Sequence, residues 1–135
     1  MDRSAGTVSV RDVPANARVA EFIPFDQLLP YTDVMVSNGG YGGVQQALSL
    51  GVPLVLAGLS EDKAEVTARA AWTGAAINLA IERPEETQIR ASVEKVLNDS
   101  SYRKQAKRLR SEYITHNPFD AMSAAIEELT AGPEA

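Results

Sequence analysis

Ser37-Asn38-Gly39-Gly40-Tyr41-Gly42-Gly43 is the stretch of this 135-residue chain whose residue types and spacing could do chemistry. It follows the apolar run Val34-Met35-Val36 and precedes Val44-Gln45-Gln46-Ala47-Leu48, which holds neither Gly nor Pro. Apolar run, glycine loop and mixed stretch read as strand, turn and helix. Lacking a β-carbon, glycine adopts positive φ and lets a ligand come close to the backbone. The helix, expected from Tyr41 to Leu50, aims its unpaired N–H groups and positive dipole end into the loop. Such a junction is a generic anion site, usually for phosphate. The same glycines also suit a plain strand-to-helix corner, and the loop alone leaves both readings open.

Other chemistry is scarce. The chain has no cysteine, which excludes disulfides and thiolate metal sites, and one histidine, His116, which excludes a His-rich metal cluster. Ser37 has no histidine available for a triad, and His116 has no acid or nucleophile near it in sequence, so it reads as a surface residue. Arg103, Lys104, Lys107, Arg108 and Arg110 form a basic run. At helical spacing on a chain of net charge -5 the run reads as a solvated face, and nucleic acid is not an expected partner. No apolar run approaches the ~20 residues of a membrane span. Met1-Asp2-Arg3-Ser4-Ala5-Gly6 lacks a signal peptide's apolar core. The expectation is a cytoplasmic protein without a membrane partner.

Apolar residues make up 44% of the chain and charged residues 23%, as in one soluble domain. Residues 1–16 are expected to form a tail or loop with a short strand at Val8–Val10, residues 17–131 the domain, and residues 132–135 a second tail. Arg18–Ile23 alternates and stops at Pro24, a strand signal. Phe25–Leu29 suits one or two helical turns. Asp33–Ser37 predicts a central parallel strand buried on both faces, and Gly51 suits the end of the following helix. Pro53–Ala57 is the next strand. Ser60 is expected to cap a helix to about Thr73, with Glu61 and Asp62 in its first turn; Trp72 on it reads as core or domain contact. Ala75–Leu79 is a fourth, weaker strand. Helices follow over Glu85–Leu97, from Asp99 or Ser100, and from Asn117-Pro118, the last burying Met122, Ala125, Ile126 and Leu129. The pattern predicts an α/β fold, a Rossmann-like parallel sheet of about four strands with helices on both faces and C-terminal helices. In such sheets ligands sit beyond the carboxyl ends of the strands, where the glycine loop lies.

Two pieces of the chain together resemble the nucleotide-sugar half of glycosyltransferases with the two-domain GT-B fold, the macrolide and natural-product enzymes most of all. That family's motif runs Trp-x-Pro-Gln, a Leu, Thr-His-x-Gly-Trp-x-Ser, a Glu, Gly-Val-Pro and Asp/Glu-Gln. The corresponding residues here are Phe22, Pro24 and Phe25, Leu29, Ser37 to Gly43, Gln46, Gly51-Val52-Pro53 and Asp62-Lys63. The spacing matches without a gap over about forty residues and continues more loosely to the C-terminal helices.

The resemblance implies a donor site for a UDP- or TDP-linked sugar, used as substrate with no further cofactor and no metal. Phe22 stands where the family's Trp stacks on the base. Asn38 replaces a His that contacts the diphosphate, offering one neutral hydrogen bond of about 1 kcal/mol net. Gly39, Gly40, Gly42 and Gly43 form the phosphate loop, with backbone N–H groups at Gly42 and Gly43 in place of a Ser hydroxyl. Gln46 replaces the Glu that holds the ribose hydroxyls and can still accept and donate. Asp62 keeps the acid that grips the sugar, and Lys63 in place of Gln adds a cation beside sugar or diphosphate. Read without the resemblance, Phe22 is equally a core residue, Gln46 a solvated one and Asp62 a first-turn acid.

The family's general base belongs to an N-terminal domain that this chain does not contain. The resemblance therefore implies the donor-binding part of a hexosyltransferase acting on a small-molecule hydroxyl, inactive without that domain in cis or in trans. The first strand-loop-helix of the donor domain is also missing from the match. An open sheet edge of that kind invites a partner or self-association. A non-catalytic nucleotide-sugar-binding or assembly subunit is the alternative, and a GT-B-type sugar epimerase is a third reading, for which Asp62 is the only clear acid.

Overall fold

The computed structural model describes residues 13–131, so the expected strand at Val8–Val10 and the stop at Gly132-Pro133 lie outside the described residues. The elements run α1 (Phe25–Leu28), a 3-10 turn (Leu29–Tyr31), β1 (Met35–Ser37), α2 (Tyr41–Ser49), β2 (Leu54–Leu56), α3 (Lys63–Trp72), β3 (Ala76–Asn78), α4 (Glu86–Asn98), α5 (Ser100–Thr115) and α6 (Pro118–Thr130).

Three strands, not four, form the described sheet, parallel and in the order β1-β2-β3. Met35 pairs with Leu54 and Leu54 with Ala76, so the strands are in step. Arg18–Ile23 alternates as a strand should but is not one. A strand exists by its ladder, and no described residue offers this segment a neighbour. Among the described residues β1 pairs only with β2, so within them it lies at the sheet edge rather than the expected centre, and Val36 is 49% exposed. The central strand is β2, where Leu54, Val55 and Leu56 are all buried. Each such side chain contributes about 1.5–3 kcal/mol of gross burial. That makes β2 the spine on which the loops are hung.

Local chemistry ends the helices where the sequence says it should. Gly51 takes φ +76 after α2. Its N–H reaches Leu48 O and the Val52 N–H reaches Ala47 O, the paired bonds of a Schellman ending. Glu85 and Gln88 form a reciprocal capping box on α4. Asp99 caps α5 through the Ser101 N–H, and Asn117 caps α6 through the Phe119 N–H. α2 packs on β1, α3 on β3, α4 on β2 and β3, and α5 against α2 and α4. Ala106 of α5 is fully buried.

Two expectations about the helices change. Trp72 is 90% exposed, so of its two readings, core or domain contact, the core one falls. α6 forms, but it buries nothing: Phe119, Met122, Ile126 and Leu129 are all at least half exposed. Its apolar stripe has no surface of the described domain to cover it.

Candidate functional site at the carboxyl edge of the sheet

The loop between β1 and α2 leaves the carboxyl end of its strand with its first N–H groups already served. Ser37 Oγ accepts from the Gly39 N–H at 3.2 Å, and Asn38 Oδ1 accepts from the Gly40 N–H at 3.3 Å. The Asn38 side chain thus shapes the loop by a local turn. Gly39 is buried at φ +82, and a β-carbon there would collide with the Thr67 Cγ2 methyl of α3. Only glycine lets the loop lie this close to α3. Gly42 and Gly43 differ. Nothing stands within 4 Å of a β-carbon built on Gly42, and only the Met35 methyl, at 3.8 Å, faces Gly43. The N-cap Gly40 has no side chain to offer, and the first turn of α2 carries no acid. The Tyr41, Gly42 and Gly43 N–H groups at the dipole end therefore have no hydrogen-bond partner among the described residues.

Phe22 and Gln46 line one open cleft, together with Ala20, Glu21 and the start of α1. Phe22 is 81% exposed, which disposes of the core reading for this ring. Gln46 is half-buried on α2, one turn beyond the glycines. Asn38 lines a neighbouring shallow cleft with Val36, Ser37, Ala57, Glu82 and Pro84. The described residues do not bring Phe22 and Asn38 into the same cleft.

The loop between β2 and α3 departs from expectation. α3 begins at Lys63 with Asp62 at its N-cap, two residues later than a Ser60 cap requires. The Ser60 hydroxyl does not cap the helix but is turned to Glu82, which arrives from the loop after β3. Glu82 Oε2 accepts from the Leu59 N–H at 2.5 Å and the Ser60 N–H at 3.1 Å, and Oε1 accepts from the Ser60 hydroxyl at 3.2 Å. The turn that follows holds Glu61 at φ +59. Those bonds, from Leu59 first and then Ser60, hold the Glu82 carboxyl below its ordinary range.

Lys63 donates to Glu61 Oε2 at 2.9 Å and to Ser60 Oγ at 3.3 Å, with its side chain only 15% exposed. The hydrogen bond with Glu61 raises the Lys63 ammonium and lowers the Glu61 carboxyl. A β-carbon on Gly58 would strike the Asn38 carbonyl and lie 3.1 Å from Lys63 Cδ. Gly58 is thus the place where Asn38 and Lys63 meet. Asp62 is exposed, and no hydrogen bond joins its side chain to another described residue. Glu82 gave no signal at all, because its partners lie 22 and 23 residues away.

The remaining candidates are quiet. His116 is exposed at the end of α5 and bonds Glu112 O through Nδ1. In the basic run, Arg103 pairs with Asp33 at 2.5 Å and Arg108 with Glu112. Among the described residues no cluster of acids and histidine could hold a metal, and no helix is long and apolar enough to cross a membrane.

UDP-glycosyltransferase 2 of Phaeomoniella chlamydospora is 48% identical over 130 residues, 96% of this chain but 29% of that protein. The 4'-demethylrebeccamycin synthase of Lentzea aerocolonigenes is 47% identical over 120 residues, 89% of this chain and 28% of its own length. Among solved structures, spinosyn forosaminyltransferase SpnP matches with a TM-score of 0.80 at 26% identity, over 89% of this chain and 32% of that one. Spinosyn rhamnosyltransferase SpnG complexed with thymidine diphosphate matches at 0.78 and 28%, over 86% and 32%. The chain spans less than a third of the length of these relatives. Residues 2–129 also match the family model described as erythromycin biosynthesis protein CIII-like, C-terminal domain. The chain belongs to that family, the C-terminal domain of natural-product glycosyltransferases of GT-B fold.

Proposed function

We propose that this chain is the donor-binding part of a glycosyltransferase and holds a UDP- or TDP-linked hexose across the carboxyl edge of the sheet. One observation carries the reading. The first turn of α2 leaves its N–H groups at Tyr41, Gly42 and Gly43 uncapped, with no acid among its own residues. A diphosphate is the group that such an end binds best. Phe22 offers an exposed aromatic face for the base, and Gln46, in the same cleft, an amide for the ribose hydroxyls. Asn38, with its carbonyl turned into its own loop, keeps its NH₂ for a phosphate oxygen. Gly39 and Gly40 act through shape, and Asp62 and Lys63 face the sugar.

Transfer needs an acceptor hydroxyl, and a neutral hydroxyl attacks an anomeric carbon poorly. A positioned base contributes ~10²–10⁴-fold, and no described residue stands beside the loop in that role. We assign the base and the acceptor pocket to the part of the relatives' length that this chain does not cover, supplied in cis or in trans. The chain alone binds donor weakly and turns over nothing. Its stage is a soluble compartment such as the cytoplasm, and the open edge of β1 is where a second copy or the remaining domain would associate.

Amide shifts during titration with UDP and with TDP test the site. Perturbation centred on residues 38 to 46 supports it; perturbation confined to α4 and α5 with a silent loop refutes it. Incubation with nucleotide sugar and hydroxylated acceptors tests the division of labour. Transfer by this chain alone would refute it, and activity that appears only when the N-terminal part of a relative is added supports it.

A further inference from the structure

The loops after β2 and β3 are tied together at the carboxyl edge of the sheet. The Gly58 N–H donates to Ile81 O at 3.0 Å. One residue on, the Glu82 carboxylate collects both the Leu59 and Ser60 N–H groups and the Ser60 hydroxyl. The loop after β3 is bent for this: the Ala80 N–H bonds Asn78 Oδ1 at 2.8 Å, and Ala80 stands at φ +51. Two non-glycine residues in the left-handed region, Ala80 and Glu61, thus flank one carboxylate. Such strain persists only where the surroundings over-determine it.

The Ser60 hydroxyl passes the constraint on, accepting from Lys63 Nζ at 3.3 Å. The order of α3's first residues is therefore set by a residue on another loop. Without Glu82, Ser60 is free to cap α3 as its sequence invites. Glu61 and Asp62 would then enter the helix and change the directions in which Asp62 and Lys63 point. On the donor-site reading given above, those two residues face the sugar.

We propose that Glu82 is a positioning residue for the sugar end of the donor site. It acts through Leu59 and Ser60 on Asp62 and Lys63, and not on the nucleotide. Its effect falls on the extra affinity that a sugar adds to a nucleoside diphosphate. Glu82 is exposed, so its replacement leaves the buried strands untouched. Glu82→Gln keeps one acceptor oxygen for the loop, whereas Glu82→Ala keeps none.

The test compares UDP with UDP-glucose, and TDP with TDP-glucose, by calorimetry on the unaltered chain, Glu82→Ala and Glu82→Gln. Unchanged thermal midpoints and far-UV spectra establish folding. The expected result is diphosphate affinity within twofold in all three proteins. Glu82→Ala lowers sugar-nucleotide affinity about tenfold, to that of the bare diphosphate, and Glu82→Gln falls between. Equal losses for diphosphate and sugar nucleotide, or no loss for either, overturn the Glu82 assignment, as does an unaltered chain to which the sugar adds no affinity. Failure of the unaltered chain to bind either diphosphate overturns the donor-site reading itself, and this inference with it.

Discussion

Two loops at the carboxyl edge of the sheet lead into helices, and they treat the helix N-terminus in opposite ways. The loop after β1 satisfies its own Gly39 and Gly40 N–H groups with Ser37 and Asn38, and leaves the first turn of α2 uncapped. The loop after β2 is closed by Glu82, and at the start of α3 Asp62 and Glu65 stand beside Lys63, which pairs with Glu61. The dipole that favours an anion at α2 already has the protein's own charged groups around it at α3. The position of an anion site is decided by subtraction: it is the helix end that the protein itself has not filled.

The largest test of that contrast is Gly39→Ala. It combines left-handed strain with overlap on Thr67, so it should cost about 2–4 kcal/mol in denaturant unfolding. A cost below about 1 kcal/mol would show that the loop need not lie so close to α3. Next is Gly43→Val, whose β-carbon meets only the Met35 methyl. The fold should hold while UDP or TDP affinity drops at least tenfold, measured by calorimetry. Asn38→Ala should cost less, about three- to fivefold, since it removes one neutral hydrogen bond to the phosphate besides the weak turn bond to the Gly40 N–H. Equal or reversed losses would move the diphosphate from backbone to side chain.

The smallest effect is electrostatic. The Glu82 carboxyl lies below its ordinary 4.5 because Leu59 and Ser60 donate to its charged form. A carboxylate with a depressed folded pKa adds stability that is present above its unfolded value and lost as pH falls through the folded one. The clamp should therefore persist at pH 4.5 and open below it, read from the Glu82 side-chain carbon shift in NMR. A midpoint at or above 4.5 would mean that the two loops are not tied in solution.

What was legible in the sequence follows the range of the interactions concerned. The endings at Gly51, Asp99 and Asn117 are made by residues within a few positions, and each was readable. The burial of β2 was readable because Leu54-Val55-Leu56 has nothing polar to turn outward. Arg18–Ile23 misled because a strand needs a neighbour, and its alternation says nothing about whether one is present. The start of α3 misled for the same reason, since a carboxylate 22 residues away engages the Ser60 N–H and hydroxyl and draws that side chain from the helix. Within the candidate site, Gly42 and Gly43 could be singled out for their N–H groups, but the crowding at Gly39 and Gly58 could not be read. Gly39 and Gly58 serve crowding and Gly42 and Gly43 serve openness, and this depends on what Thr67, Asn38 and Lys63 bring near them.

α6 has a further consequence. It is a 13-residue helix with a good cap, and it has no buried residue. Helices of that length are marginal in water without tertiary support, so α6 should open independently of the sheet. In hydrogen exchange, the α6 amides should lose their protons through local fraying, orders of magnitude sooner than those of β2, which wait for global unfolding. Whatever surface receives Phe119, Met122, Ile126 and Leu129 must then also complete the folding of the helix that carries them, and part of the binding energy goes into that ordering.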